Sequence, residues 1–371
     1  MLEVVAAFIR DGEKFLICQR PAGKNCAFGW EFPGGKLEAG ETKPQALARE
    51  CREELNVELD VARELADVTH AYPGFSIHLT LLECEIRAGS LTALEHNALQ
   101  WITAAEIPNY EFCPADQKLI QKLRLLWSWQ EEQAIAHIHG WDFSHLNGRY
   151  AEEDDLPWDY RALIDKYRKP EMRILDIDTG GGEFLLSLNH PHANTAATEA
   201  FPPNIRVCED ALLPLGIDFR PGSAGQLPFG DGAFDLVINR HGDFDPVELR
   251  RVLKPGGIFI TQQVGAENDR ELAELLLPGV RPPFPEQYLS IAEREFRAAG
   301  FEILESAEVF RPIEFYDTAA LVWFARIIQW EFSGFSVEKC LPQLWQAQSI
   351  LEEKGRISGR IHRFMLVGRR V

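Results

Sequence analysis

Three glutamates in one predicted helix place the strongest constraint on this sequence. Residues 43–55 are predicted to form a helix that begins after Thr42, because threonine is a favoured N-cap residue. Spacings of three and four residues place Glu50, Glu53 and Glu54 on one face of this helix, with Cβ atoms about 5–6 Å apart. Like charges at this spacing destabilise a helix, so we expect a positive ion beside them.

A glycine pair precedes the helix and adds to the same hypothesis. Gly34 and Gly35 allow the backbone to approach a ligand closely. Carboxylate and carbonyl oxygens are the ligands that Mg²⁺ or Mn²⁺ prefers, so we expect the Gly34 carbonyl to join the glutamates in a metal site. The nearby cations Arg20 and Lys36 are candidates for binding phosphate oxygens.

This segment resembles the Nudix box, the signature of a family of hydrolases. The matching residues are Gly35-x5-Glu41-x7-Arg49-Glu50-Cys51-x-Glu53-Glu54-x-Asn56-Val57. Asn56 stands where the family has glycine, and we expect it to end the helix in a left-handed conformation, which asparagine tolerates. Similarity to the mutator-type branch, which removes oxidised nucleotides, extends over residues 2–127.

The resemblance implies an α+β Nudix fold for residues 1–127 and Mg²⁺-dependent release of pyrophosphate from a nucleoside triphosphate. It implies that the metal is bound, or the attacking water oriented, by Glu50, Glu53, Glu54 and Glu95. Arg49 would hold these glutamates in place. The general base stays open among these carboxylates. Asp116 matches the position that contacts the base edge, and Phe32 belongs to the matching segment before the glycines. Purine and cytosine both remain possible, and a domain that senses a nucleotide without cleaving it is the alternative.

A second candidate site lies in the following part of the chain. Residues 173–178 are predicted to form a strand that enters a glycine turn and then a helix, which is typical of a nucleotide cofactor site. Glu199 ends the next predicted strand, where an acid can hold both ribose hydroxyls. Strands and helices alternate from here onward, which predicts a parallel sheet covered on both faces. Residues 301–314 and 361–369 are predicted as further strands, in an antiparallel hairpin at the edge.

This arrangement resembles the class I S-adenosylmethionine methyltransferases. The resemblance implies an α/β Rossmann-like fold for residues 128–371, with a mostly parallel seven-stranded sheet. The implied cofactor-binding residues are Asp176, Asp178, Thr179, Gly180, Gly182, Glu199 and Ser223. Asp178 replaces a glycine of the family, and Ser223 replaces an acid. The Asp178 carboxylate either crowds the cofactor or binds its ammonium group, and an alternative register makes Asp178 itself the motif acid.

The methyl acceptor is expected near Asn239 and His241, which follow the fourth predicted strand. His241 is either a catalytic base or a hydrogen-bonded loop residue. Residues 128–165 are predicted to form a connector and an aromatic lid. There Trp141, Phe143 and Tyr160 either close over the pocket or pack the lid.

Composition restricts the partners. The net charge of −19 argues against binding of duplex nucleic acid, so a nucleotide substrate and a small-molecule methyl acceptor are expected. Seven scattered cysteines without a CxxC pair suggest reduced thiols in the cytoplasm. No segment reaches the roughly 20 apolar residues that cross a bilayer, so no membrane association is expected. Three hypotheses follow: a bifunctional enzyme, a hydrolase whose second domain only binds a ligand, or a Nudix sensor that regulates a methyltransferase.

Overall fold

The structure is a computed structural model that describes residues 1–137, 142–153 and 155–371. The chain divides into two compact units, Met1–Ile135 and Ala136–Val371. The first unit ends with a helix that continues to Ile135, eight residues beyond the boundary predicted after Trp127. Trp129 lies beyond the predicted boundary and is fully buried. The residues after Trp127 therefore continue the helix as part of the first unit.

The first unit is a mixed sheet with two helices, as predicted for an α+β fold. Its strands are β1 Leu2–Asp11, β2 Lys14–Gln19, β3 Trp30–Glu31, β4 Gly34–Lys36, β5 Val57–Tyr72, β6 Phe75–Gly89 and β7 Ala98–Ile102, and its helices are α1 Lys43–Leu55 and α2 Pro114–Ile135. Strand β1 is central: it is parallel to β6 and antiparallel to β2 and β4. It therefore holds the glycine turn of β4 against the sheet.

Alternation along β1 builds a core on both faces of this sheet. Val5 and Ala7 belong to a cluster that contains Leu47 of α1. The next residue, Phe8, points to the other face, and the centre of its ring lies 6.5 Å from that of Trp127 on α2. Successive side chains of a strand point to opposite faces, so one apolar strand anchors both helices.

Helix α1 begins and ends as the sequence predicts. The Thr42 side chain accepts a hydrogen bond from the Gln45 N–H, and the Gln45 side-chain oxygen accepts one from the Thr42 N–H, which completes a capping box. Asn56 ends the helix with φ 58° and ψ 37°, which confirms the predicted left-handed conformation. These two ends fix which turn of the helix carries the glutamates.

The second unit is a sheet flanked by helices. Its strands are β8 Tyr150–Glu152, β9 Ile174–Ile177, β10 Thr195–Thr198, β11 Asp218–Phe219, β12 Phe234–Arg240, β13 Leu253–Val264, β14 Phe301–Phe315 and β15 Ile357–Arg370. Its helices are α3 Tyr160–Tyr167, α4 Glu183–Ser187, α5 Pro202–Leu212, α6 Pro246–Val252, α7 Arg270–Leu276, α8 Leu289–Ala298, α9 Thr318–Ile327 and α10 Leu341–Lys354. The strand order is β11-β10-β9-β12-β13-β15-β14-β8, and β9 to β13 form parallel pairs.

The sheet confirms the Rossmann-like fold and corrects two details. Strands β14 and β15 pair antiparallel as predicted, but β15 lies inside the sheet between β13 and β14, and β8 forms the outer edge beyond β14. The described residues form eight strands instead of seven. The extra strand β8 comes from the segment predicted as a connector and pairs with β14, whose edge it covers.

The aromatic residues predicted to form a lid pack against the second unit. The Phe143 ring lies 6.0 Å from the rings of Trp323 and Phe324 on α9. Tyr160 is buried, with its ring 5.4 Å from that of Phe184. Trp141 lies outside the described residues. Among the residues that the structure describes, the helices lack the combination of length and apolar character that spans a membrane.

We predict that the left-handed conformation of Asn56 makes its side chain sensitive to substitution. Asn56→Ala should lower the free energy of unfolding by about 1 kcal/mol, because a Cβ without a local hydrogen-bonding group is disfavoured at positive φ. Asn56→Gly should preserve stability, since glycine adopts this conformation freely. Urea unfolding of the full chain measures both variants, and equal losses would contradict the explanation.

Candidate functional site

A cleft of about 850 Å³ in the first unit collects most of the residues predicted for its site. Those that line it are Arg20, Phe32, Gly34, Lys36, Glu50, Glu54, Glu95 and Asp116. Glu53 is not among the lining residues: its side chain is 59% exposed, and its Oε2 lies 3.5 Å from Arg49 Nη1. The structure thus separates Glu53 from Glu50 and Glu54, which the helical spacing had grouped.

The glycine turn is required by the close approach of β1 and α1. Gly34 has φ 152°, and a Cβ there would lie 2.1 Å from the Val5 carbonyl oxygen. A Cβ on Gly35 would lie 2.2 Å from the carboxyl carbon of Glu50. Any side chain at residue 35 would therefore displace the Glu50 carboxylate.

Arg49 fixes the position of Glu50. Its Nε and Nη2 donate to the two carboxylate oxygens of Glu41 at 2.9 and 3.0 Å, and its Nη1 donates to Glu50 Oε1 at 2.8 Å. The Lys36 carbonyl accepts a further bond from Nη2 at 3.1 Å. The guanidinium therefore ties β4, the following loop and Glu50 together.

Glu54 is a buried carboxyl group with one oxygen that lacks a hydrogen-bond partner among the described residues. The residue is only 8% exposed, and its Oε2 has no hydrogen-bond partner among the described residues. Burial raises the pKa of Glu54 to about 7; the charge of His96 opposes this, and the charge of Glu50 adds to it. Two adjacent carboxylates, one without a hydrogen bond, fit a divalent cation. The oxygen donors of this set suit Mg²⁺ or Mn²⁺.

The same cleft holds a second buried acid. Asp116 is 5% exposed, and its Oδ1 accepts a hydrogen bond from the Phe32 N–H at 2.9 Å. Burial raises the pKa of Asp116 to about 8, with a further contribution from the charge of Glu31. Arg20, which was expected to contact phosphate, forms an ion pair with Glu31. Its Nε donates to the Asn25 carbonyl oxygen at 2.7 Å.

Several residues of the cleft received no role from the sequence. Glu31 pairs with Arg20, and the His96 Nε2 lies 3.5 Å from Glu31 Oε1 and 3.9 Å from Glu54 Oε2. Lys24 Nζ donates to Glu95 Oε2 at 2.8 Å. The sequence offered one clue to Glu31 and His96: each is the direct neighbour of a predicted site residue, Phe32 and Glu95 respectively.

In the second unit, the glycine turn follows β9 at the carboxyl edge of the parallel strands. The Thr179 Oγ1 donates to Asp176 Oδ2 at 2.6 Å, and burial raises the pKa of Asp176 to about 7. Gly182 has φ 85°, and a Cβ there would lie 2.9 Å from Leu212. Gly180 has φ 67°, and among the residues that the structure describes, its chain neighbours aside, none comes within 4 Å of the position of a Cβ there. The turn is thus packed at Gly182 and open to a ligand at Gly180.

Asp178 occupies the position where the family has glycine, and its backbone explains that preference. Its φ is 54°, a conformation that glycine adopts without strain. The Asp178 Oδ2 accepts a hydrogen bond from the Asp243 N–H at 3.0 Å, and burial raises the pKa of Asp178 to about 6. The carboxylate is therefore held toward the loop after β12.

Glu199 joins β10 to the glycine turn. Its Oε2 accepts from the Gly180 N–H, and its Oε1 accepts from the N–H groups of Ala200 and Phe201, each at 2.9 Å. The Glu199 carbonyl accepts from the Gly222 N–H at 3.1 Å, which places the exposed Ser223 beside it. The turn, the acid and Ser223 thus share one edge of the sheet.

Of the two residues predicted near the methyl acceptor, Asn239 has no exposed surface. Its Nδ2 donates to the Ile177 carbonyl at 3.1 Å, and its Oδ1 accepts from Thr261 Oγ1 at 3.1 Å and from Gln263 Nε2 at 2.6 Å. Such burial argues against contact with an acceptor and makes Asn239 a link between strands.

His241 lies in the exposed loop that follows, with φ 60°. Partial enclosure by neighbouring protein atoms, with smaller contributions from the positive charges of Arg363 and Arg240, lowers the pKa of His241 below its usual value. The imidazole is thus neutral near pH 7 and a weak base.

Comparison with known proteins agrees with this division of sites. The NUDIX domain family matches residues 4–122, and the methyltransferase domain family matches residues 175–261. CTP pyrophosphohydrolase of Escherichia coli is 42% identical over 126 residues, which cover 34% of this chain and 93% of that protein. Putative 8-oxo-dGTP diphosphatase 2 of Mycobacterium tuberculosis is 37% identical over 131 residues, covering 32% and 86%. Demethylmenaquinone methyltransferase of Thermus thermophilus is 36% identical over 117 residues, covering 29% of this chain and 53% of that protein.

The glutamate helix, its glycine turn and these similarities define the class of the first unit: the chain belongs to the Nudix family. The protein is an enzyme whose N-terminal Nudix hydrolase domain is followed by a methyltransferase domain.

We predict that Asn239 acts through the fold of the second unit. Asn239→Ala should lower the free energy of unfolding by about 2–4 kcal/mol, because it removes several hydrogen bonds and leaves buried groups unpaired. The control Asn194→Ala removes one exposed bond to the Pro170 carbonyl and should cost less than about 1 kcal/mol. Chemical denaturation of the full chain compares them; similar costs would count against the assignment.

Proposed function

We propose that the Nudix domain hydrolyses a nucleoside triphosphate to the monophosphate and pyrophosphate with Mg²⁺ or Mn²⁺. The observation that carries this proposal is the buried Glu54 carboxylate, which lies in the cleft with Glu50 and has an oxygen without a hydrogen bond. A buried charge of this kind is costly unless a cation offsets it.

The proposed cation ligands are Gly34, Glu50, Glu53, Glu54 and Glu95. A divalent cation bound there would neutralise polyphosphate charge and lower the pKa of an attacking water. Arg49 positions Glu50 through their hydrogen bond, and Lys36 at the cleft wall is placed to contact phosphate oxygens. Glu53 lies at the rim beside Arg49, so its contribution depends on a side-chain rotation toward the cleft.

The nucleobase is proposed to contact Asp116 and Phe32. Because burial raises the pKa of Asp116 to about 8, its carboxyl group carries a proton near neutral pH and can donate as well as accept. Relatives named for CTP and for 8-oxo-dGTP support both cytosine and oxidised guanine as candidates. A hydrolysis screen with CTP, dCTP, methylated dCTP and 8-oxo-dGTP distinguishes them.

We predict that Glu50→Gln and Glu54→Gln each reduce Mg²⁺-dependent pyrophosphate release by at least about 100-fold, since a neutral amide cannot replace a carboxylate ligand. Glu53→Gln tests whether the rim residue acts in the same way. The matched control is Glu58→Gln on β5, where Glu58 pairs with Arg87 at the surface. Unchanged turnover in the Glu50 and Glu54 variants would refute the metal site.

We further propose that the second domain binds S-adenosylmethionine and methylates a small molecule. Open space over Gly180 leaves room for the amino-acid end of this cofactor, and the Asp178 carboxylate is available to its ammonium group. Glu199 would exchange its bond from the Gly180 N–H for ribose hydroxyls. His241 and the loop around it are proposed to face the acceptor.

We predict that Glu199→Gln weakens S-adenosylmethionine binding at least about tenfold, because charge-assisted hydrogen bonds to the ribose are lost. Calorimetry measures the affinity, and Glu209→Gln on the exposed face of α5 is the control. Binding without transfer of a tritiated methyl group would favour a domain that only binds its ligand. A nucleotide that changes methyl transfer without being hydrolysed would favour the sensor hypothesis.

A further inference from the structure

A second group of possible metal ligands lies at the base end of the Nudix cleft. One ligand atom each from Glu31, Cys113 and Asp116 lies within 4.8 Å of the others. Cys113 is 4% exposed and Asp116 is 5% exposed, yet all three line the cleft and are reachable from it. Cys113 directly precedes α2, and Asp116 lies in its first turn, so both belong to the start of this helix.

Backbone hydrogen bonds hold the three ligands in register. The Cys113 N–H donates to the Trp30 carbonyl at 2.8 Å, which fixes the start of α2 against β3. The Phe32 N–H donates to Asp116 Oδ1 at 2.9 Å. Because these bonds connect the neighbours of Glu31 to both other residues, the site is pre-organised rather than assembled from mobile side chains.

A histidine beside the group independently indicates a ligand at this place. The His96 side chain is 4% exposed, and its Nε2 points at Glu31 Oε1 from 3.5 Å. Its buried Nδ1 has no hydrogen-bond partner among the described residues. A buried imidazole that faces this acid, with its other nitrogen unpartnered among the described residues, is a candidate nitrogen donor for an ion bound here.

We propose that Glu31, Cys113 and Asp116 form a second cation site, selective for a thiophilic divalent ion such as Zn²⁺. Zn²⁺ binds thiolate, carboxylate and imidazole together in tetrahedral sites, whereas Mg²⁺ prefers oxygen ligands alone. The site therefore differs in chemistry from the glutamate helix. The cleft leaves a fourth position for water or His96.

An ion at this position would regulate the hydrolase, and this consequence rests on the proposed function. Asp116 is the residue proposed to contact the nucleobase, so it cannot serve the base while it ligates a metal. Zn²⁺ should therefore inhibit hydrolysis in competition with the nucleotide, even when Mg²⁺ is saturating.

The binding test uses Co²⁺ and Zn²⁺ on the full chain with saturating Mg²⁺ and no nucleotide. We expect Co²⁺ to produce a thiolate-to-cobalt charge-transfer absorption that Zn²⁺ abolishes. Cys113→Ser should remove this absorption, and Asp116→Asn should weaken Zn²⁺ binding at least about tenfold in calorimetry. Thermal unfolding verifies that both variants are folded.

Two controls make the outcome decisive. Cys26→Ser removes an exposed thiol that lines the same cleft, and this variant should keep the absorption. Glu54→Gln alters the glutamate helix and should keep it as well. Absorption that survives in Cys113→Ser, or that requires only Cys26, overturns the proposal. If Zn²⁺ binds as expected but does not inhibit hydrolysis, the site stands and the proposed contact between Asp116 and the base is wrong.

Discussion

The burial of the Glu54 carboxyl group, whose Oε2 has no hydrogen-bond partner among the described residues, is the constraint on which the arrangement of the first site depends. A buried charge costs several kcal/mol unless a partner offsets it. The Arg49 guanidinium already donates its hydrogen bonds to Glu41, Glu50 and the Lys36 carbonyl of β4. The glycine turn, held against β1, keeps side chains away from Glu50. The fold thus builds an anionic recess and leaves its balancing charge to a ligand.

In the second domain, by contrast, the buried acid Glu199 has hydrogen-bond partners for both carboxylate oxygens. Glu199 is also buried beside a glycine turn, but backbone N–H groups satisfy both of its oxygens. On the proposed function, ribose hydroxyls would donate to this charged carboxylate in place of the Gly180 N–H, whereas the carboxylates of the first site would bind a cation directly.

Local signals made part of this structure predictable. Thr42 and Asn56 define both ends of α1 through capping, and the spacing of Glu50 and Glu54 depends only on helix geometry. Periodicity could not separate Glu54 from its neighbour Glu53, because burial is decided by the packing of α1 on the sheet. The pairing of β8 with β14 and the ion pair between Glu31 and Arg20 join distant elements, and neither leaves a local pattern.

On the two proposals above, the ligands of the Nudix cleft would discriminate between ions of equal charge. Affinity for first-row divalent metals rises from manganese to copper at most nitrogen, oxygen and sulfur sites and is lower again for zinc, so charge alone does not select the ion. The glutamate helix offers only oxygen, which suits a hydrated, hard cation. The base end adds the sulfur of Cys113 beside Asp116, which favours a softer one. On these proposals, ligand type would let a softer ion bind Cys113 and Asp116 without first displacing the hard ion from the glutamates.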